Sequence, residues 1–275
     1  MPDHFIDLRA THNSHRWYLP VTPTVTVGPA GKAFLFGGAG MSAAIRAMEL
    51  TCKRPVIWAT AQYLSYARTG SIVDFDVREV TKGNTISQAR VVAHIGDQEI
   101  LTVNAALGKR EGVSDQWRKA PKVPPPEECP PVQHWRGEGG ESIHTRFETR
   151  LASGRYPTRN IEGGRSEDGR LVTWVRSSEG LTATADLLAV IADFVPQSTS
   201  HALGYHAGGN SLDNTVRFGH ITPTDWILCD IRIEAIESDI IHGSIHLFSR
   251  DGVMMATCSQ SLILRVLSAP PTKQD

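Results

Sequence analysis

The chain has 275 residues, 40 % of them hydrophobic and 21 % charged, with a formal net charge of −1. That length makes one large domain or two of ordinary size, and the near-neutral charge leaves no global footprint for nucleic acid. The cysteines (Cys52, Cys129, Cys229 and Cys258) form no C-x-x-C pair, which argues against a zinc ribbon or redox motif and for reduced thiols.

The chain opens Met-Pro-Asp-His-Phe-Ile-Asp, without a basic region followed by an apolar core. No apolar run approaches the roughly 18 residues of a membrane span. The expectation is a cytoplasmic protein with no membrane span.

Residues 21–27 alternate as a short strand, followed by Phe34-Leu35-Phe36 and the diglycine Gly37-Gly38. Met41, Ala44, Ile45 and Met48 recur at helical spacing, so a helix is expected over 39–52, stopped by Lys53-Arg54-Pro55. Four strands are expected next, at about 56–66, 71–81, 85–95 and 98–108. Lys82-Gly83-Asn84 and Gly96-Asp97 serve as hairpin turns. Residues 111–140 read as a semi-rigid linker, because Val123-Pro124-Pro125-Pro126 and Pro130-Pro131 continue neither helix nor central strand. Lys109, Arg110, Arg118, Lys119 and Lys122, at the linker's start and just before it, are solvated cations or a landing strip for a phosphorylated ligand.

The second half replays this order. Strands are expected at 143–151 and 171–176, then an apolar helix from Thr182 to Ala192 capped by Thr182 or Thr184. A loop over 194–210 and strands at about 212–218, 226–236, 240–250 and 253–266 complete it, the last two joined by Asp251-Gly252. A shift of 154 positions lays Val73, Phe75, Val77 and Arg78 on Ile227, Cys229, Ile231 and Arg232. This is a duplicated unit: residues 1–110 and 141–268 are the two copies and 269–275 a tail. A lone helix on a sheet leaves an edge unpaired. Two copies pairing edge to edge give an α+β double hotdog, one continuous antiparallel sheet around two central helices. The remaining sheet edges lead to the expectation of a homo-oligomer.

Two motifs mislead. Gly38-Ala39-Gly40-Met41-Ser42-Ala43 fits G-x-G-x-x-A, but hairpins rather than β-α-β units follow, and the next strand carries polar residues where a central parallel strand is apolar. The use left for those glycines is close backbone approach at a helix start. His242 and His246 have the spacing of a metal pair on a helix, yet they lie in a strand, about 13 Å apart.

Three polar residues of the second half resist a structural explanation. Asp193 follows the helix Leu187–Ala192, where an acid meets the negative end of the helix dipole at a cost of up to about 1 kcal/mol. Ser211 stands after the 194–210 loop, and Gln260 sits on the otherwise apolar face of the last strand. At the same shift, Ile57 and Ala106 stand where the second copy has Ser211 and Gln260.

Ala192-Asp193-Phe194-Val195-Pro196, Ser211-Leu212-Asp213-Asn214, Thr224-Asp225-Trp226-Ile227-Leu228, Asp251-Gly252-Val253 and Ala256-Thr257-Cys258-Ser259-Gln260 together resemble the acyl-CoA thioesterase II family, in that order. Phe36-Gly37-Gly38 and Lys82-Gly83-Asn84-Thr85-Ile86-Ser87 extend the resemblance to the first half. It implies a double hotdog that hydrolyses acyl-CoA to free fatty acid and CoA, with no metal or cofactor beyond the CoA of the substrate. It also implies an Asp/Ser/Gln set that holds the attacking water, here Asp193, Ser211 and Gln260. Backbone N–H groups of Gly37, Gly38 and Ala39 would face the developing oxyanion. Relatives often carry a histidine in the second strand of the first half, whereas this chain reads Trp58-Ala59-Thr60-Ala61-Gln62-Tyr63-Leu64. Two alternatives stay open: acyl-thioester binding without hydrolysis, and a hydratase or dehydratase on the same fold. The second lacks the Asn-Pro-x-x-His segment it needs.

Overall fold

The computed structural model describes residues 4–29, 31–132, 141–155 and 164–267. The expected tail, 269–275, and the end of the expected linker lie outside them. The first half opens with β1 (Arg9–Ala10) and β2 (Arg16–Pro20). The strand expected over 21–27 is broken by a 3-10 turn at Pro23–Val25, where proline sets the first position. Only β3 (Thr26–Val27) is extended there, and it pairs with β4 (Phe34–Leu35). Helix α1 (Gly37–Cys52) starts on the diglycine and ends at Lys53, which takes a left-handed conformation. Then come β5 (Val56–Tyr63), β6 (Ile72–Lys82), β7 (Ile86–Ile95) and β8 (Gln98–Gly108).

The second half contributes β9 (Phe147–Ser153), β10 (Arg170–Ser177) and α2 (Ala185–Ile191), whose N-cap is Thr184. The helical path does not stop at Asp193. It bends there and continues as a 3-10 segment, Ala192–Ser198, and then α3 (Thr199–Leu203). Pro196 is the reason: it has no N–H to give the carbonyl four residues back and its ring crowds that carbonyl, so the α-helical ladder cannot cross it. The expected 194–210 loop is therefore mostly helix, followed by β11 (Ala207–Ser211). That Gly-rich strand carries no apolar alternation to announce it. The half closes with β12 (Asp213–Phe218), β13 (Ile227–Glu237), β14 (Ile240–Ser249) and β15 (Met254–Val266).

Among the described residues, thirteen strands form one antiparallel sheet in the order β1-β2-β6-β7-β8-β5-β12-β15-β14-β13-β10-β9, with β11 also on β15. The fold is a double hotdog of the α+β class. The halves meet at β5 and β12, where Thr60 faces Thr215 with hydroxyls 2.7 Å apart. Val73, Phe75 and Val77 of β6 and Ile227, Cys229 and Ile231 of β13 fill the matching inward positions of the two copies, all buried. Helices α1 and α2 lie against each other inside this wrap. Every residue of α1 from Gly38 to Ile45 is buried, as expected of a helix enclosed on all sides. Truncating one of its large side chains, such as Ile45, would cost about 2–5 kcal/mol.

The linker is a strap rather than a free spacer. Trp174 Nε1 donates to the Pro124 carbonyl at 2.9 Å, and Gln116 exchanges side-chain hydrogen bonds with the Met254 backbone. Val123 and Cys129 cover Trp174, Leu228 and Phe248 on the outer face of the second copy. Among the described residues, no helix is long and apolar enough to cross a membrane.

Candidate active site

The bend after α2 sets Asp193 at φ −91°, ψ 21°, outside helical geometry, in a sparsely populated backbone region common at active sites. Its side chain turns inward and is 2 % exposed. Ser211 ends β11 rather than starting a strand, and Gln260 lies mid-way along β15. The fold brings the three together. Ser211 Oγ donates to Asp193 Oδ1 at 3.0 Å. The two Gln260 amide hydrogens reach Asp193 Oδ1 and, at 2.8 Å, Ser211 Oγ. Gln260 Oε1 is buried and makes no hydrogen bond among the described residues.

The first copy supplies the fourth bond to this cluster. The Gly38 N–H donates to Asp193 Oδ2 at 2.7 Å. Glycine is needed because the backbones approach so closely: a Cβ on Gly38 would stand 2.6 Å from the Val190 carbonyl oxygen, and one on Gly37 2.8 Å from Asp193 Oδ2. This revises the expected oxyanion donors. Gly38 serves the carboxylate, and the Ala39 N–H is bonded to the Phe36 carbonyl at 3.0 Å. At most the Gly37 N–H remains for a substrate oxygen.

Burial pushes the Asp193 carboxyl up to about 6, opposed by the bonds from Gln260, Gly38 and Ser211. Desolvation disfavours the charged form, while each donor favours it. Such a group is a base near neutral pH that still holds a proton readily.

Asp193 and Ser211 line a cavity of about 450 Å³ shared by both copies. Phe36, Gly37 and Tyr63 come from the first copy, and His144, Gln197 and Ile263 from the second. Leu64, Tyr66 and Leu212 form a part-exposed apolar rim. Among the described residues, Arg265, near the end of β15, is the lysine or arginine on the wall. Gln116, inside the basic linker, is tied to Met254 at the opposite end of that strand, roughly 36 Å away at strand rise. None of the five basic residues of the linker region lines the cavity.

Tyr63 and His144 were not singled out from sequence. An aromatic at the end of an alternating strand and a lone histidine in a 3-10 turn look like ordinary packing. His242 and His246 lie on strand β14, as expected, and neither lines the cavity.

Profiles for the N-terminal and C-terminal domains of acyl-CoA thioesterase match residues 26–108 and 126–264. The chain belongs to the acyl-CoA thioesterase family. A crystal structure from Novosphingobium aromaticivorans, provisionally described as a thioesterase, is 33 % identical with a TM-score of 0.84, covering 95 % of this chain and all of that one. A tesB protein from Mycobacterium avium subspecies paratuberculosis is 19 % identical with a TM-score of 0.75, covering 94 % of this chain and 96 % of that one. Acyl-CoA thioesterase II TesB2 from Mycobacterium marinum is 18 % identical with a TM-score of 0.72, covering 95 % of this chain and 97 % of that one; these last two show the shared fold. No curated protein matches the chain. Membership supports thioester hydrolysis as the general chemistry.

Proposed function

We propose that the protein hydrolyses acyl-CoA, using Asp193 as base and Ser211 and Gln260 to hold the water and the carboxylate. The observation that carries this reading is the single hydrogen-bonded cluster of Asp193, Ser211 and Gln260, lying against a cavity shared by both copies. Gln260 Oε1 offers an acceptor for one water hydrogen, and the Asp193 carboxylate takes the other.

Water attacks the thioester carbonyl carbon as its proton passes to Asp193, a role worth about 10²–10⁴ in rate. The tetrahedral intermediate then expels the thiolate, which takes that proton and leaves as CoA. The positive end of the α1 dipole, directed at the site through Gly37 and Gly38, stabilises the ionised Asp193 and the negative charge that builds on the substrate oxygen. The acyl chain would lie along Phe36 and Ile263, with Arg265 near the phosphates of CoA. No step calls for a metal or redox cofactor. A panel of acyl-CoAs of varied length, read by free-thiol release, tests the proposal; silence across the panel would sink it.

A further inference from the structure

We propose that the Tyr63 hydroxyl is the hydrogen-bond donor that holds the thioester carbonyl oxygen and carries its negative charge as water attacks. The inference rests on the hydrolase reading and adds a residue to it. Tyr63 is the last residue of β5, and its backbone N–H donates to the Leu212 carbonyl at 2.9 Å, beside Ser211. Its Cζ and Asp193 Oδ2 stand 3.0 Å and 2.8 Å from the point a Gly37 Cβ would occupy, so phenol and carboxylate flank the same stretch of backbone. Both residues line the shared cavity.

The hydroxyl is buried and makes no hydrogen bond of normal geometry among the described residues. A buried tyrosine hydroxyl ordinarily has a partner. Asn214, fully buried on β12, reaches the phenol as a side-chain hydrogen-bond partner that favours its ionised form, the sense of an amide N–H given to the phenol oxygen, which leaves the phenol's own hydrogen to donate. Meanwhile Gly38 and Ala39 have given their N–H groups to other acceptors. With at most the Gly37 N–H left on the backbone, the oxyanion needs a second donor, and the Tyr63 hydrogen has no acceptor of normal geometry among the described residues. Burial and the nearby Asp193 charge push the phenol well above its ordinary range, which keeps it protonated and able to donate.

In this scheme the water oxygen bonds to the carbonyl carbon and the π electrons move onto the oxygen held by Tyr63. Tyr63 keeps its proton throughout. Asp193 accepts the water proton and returns it to the departing thiolate.

The test is Tyr63→Phe, which keeps the ring and removes the hydroxyl. The expected result is a kcat lower by about 10²-fold, with KM and melting temperature little changed. A second readout uses the infrared carbonyl stretch of acyl-CoA bound to Asp193→Asn. It should lie at lower frequency than in water, and return towards the aqueous value when Tyr63→Phe is added. Turnover by Tyr63→Phe within twofold of wild type, or a carbonyl stretch in Asp193→Asn equal to that in water, overturns this assignment alone. No thiol release from wild type overturns the hydrolase reading and this assignment together.

Discussion

The Gly38 N–H donates to the Asp193 carboxylate at 2.7 Å, joining residues 155 apart in sequence and belonging to different copies of the repeat. The bond fixes the carboxylate from the side opposite Ser211 and Gln260, and it requires bare backbone at Gly38. Gly38→Ala would drive a methyl to 2.6 Å from the Val190 carbonyl oxygen and 2.9 Å from Asp193 Cβ. Both contacts belong to the packed core and cannot swing away. The expected outcome is about 1–3 kcal/mol of lost stability and a kcat at least tenfold lower, measured by denaturant melts and thiol release.

The pH dependence follows from the same carboxylate. Asp193 acts only when ionised, and burial has pushed its carboxyl up to about 6. Activity should therefore rise with pH through about 6 and level off above it. A kcat profile flat from pH 5 to 8 would exclude Asp193 as the base.

Stability should run the other way. The folded carboxyl titrates at about 6, above the roughly 3.9 of an exposed aspartate. A raised folded value contributes stability fully present below the unfolded value and lost as pH rises through the folded one. The loss, about 3 kcal/mol, develops between about pH 4 and 6. Asp193→Asn removes the titration, and a flipped Gln260 amide can offer Oε1 to the new Asn amide. Urea melts should show the variant more stable than wild type near pH 8 and equal to it near pH 4.

Ser211 both donates to Asp193 and accepts from Gln260. Its bond holds the carboxyl down against desolvation. Ser211→Ala should lower kcat and move the rising limb of the pH profile to higher pH. Ser211→Thr keeps the hydroxyl and should retain both activity and midpoint. A Ser211→Ala profile superimposable on wild type would remove Ser211 from the cluster.

The repeat, the double hotdog and the three polar residues were legible because strand alternation and unmatched polarity are local signals. Gln260 betrayed itself as one amide on an apolar face, where the first copy has alanine at 105 and 106. The course after Asp193 was not legible. Pro196 reads as a stop, yet here it turns an α-helix into a 3-10 segment that continues to α3. The Gly38–Asp193 bond was hidden because it depends on how α1 and α2 cross, a relation no spacing encodes. Tyr63 was hidden because its meaning comes from Gly37, packed against its ring at the start of α1, and from Asn214, brought beside it by the β5–β12 junction.

The central claim is that Asp193 drives water onto the thioester. Free-thiol release from acyl-CoA by wild type and Asp193→Asn, both shown to be folded, tests it most directly. The expected result is turnover by wild type and a loss of about 10²–10⁴-fold in the variant. Equal release by the two proteins would contradict it. So would acyl-CoA raising the melting temperature of wild type with no thiol released.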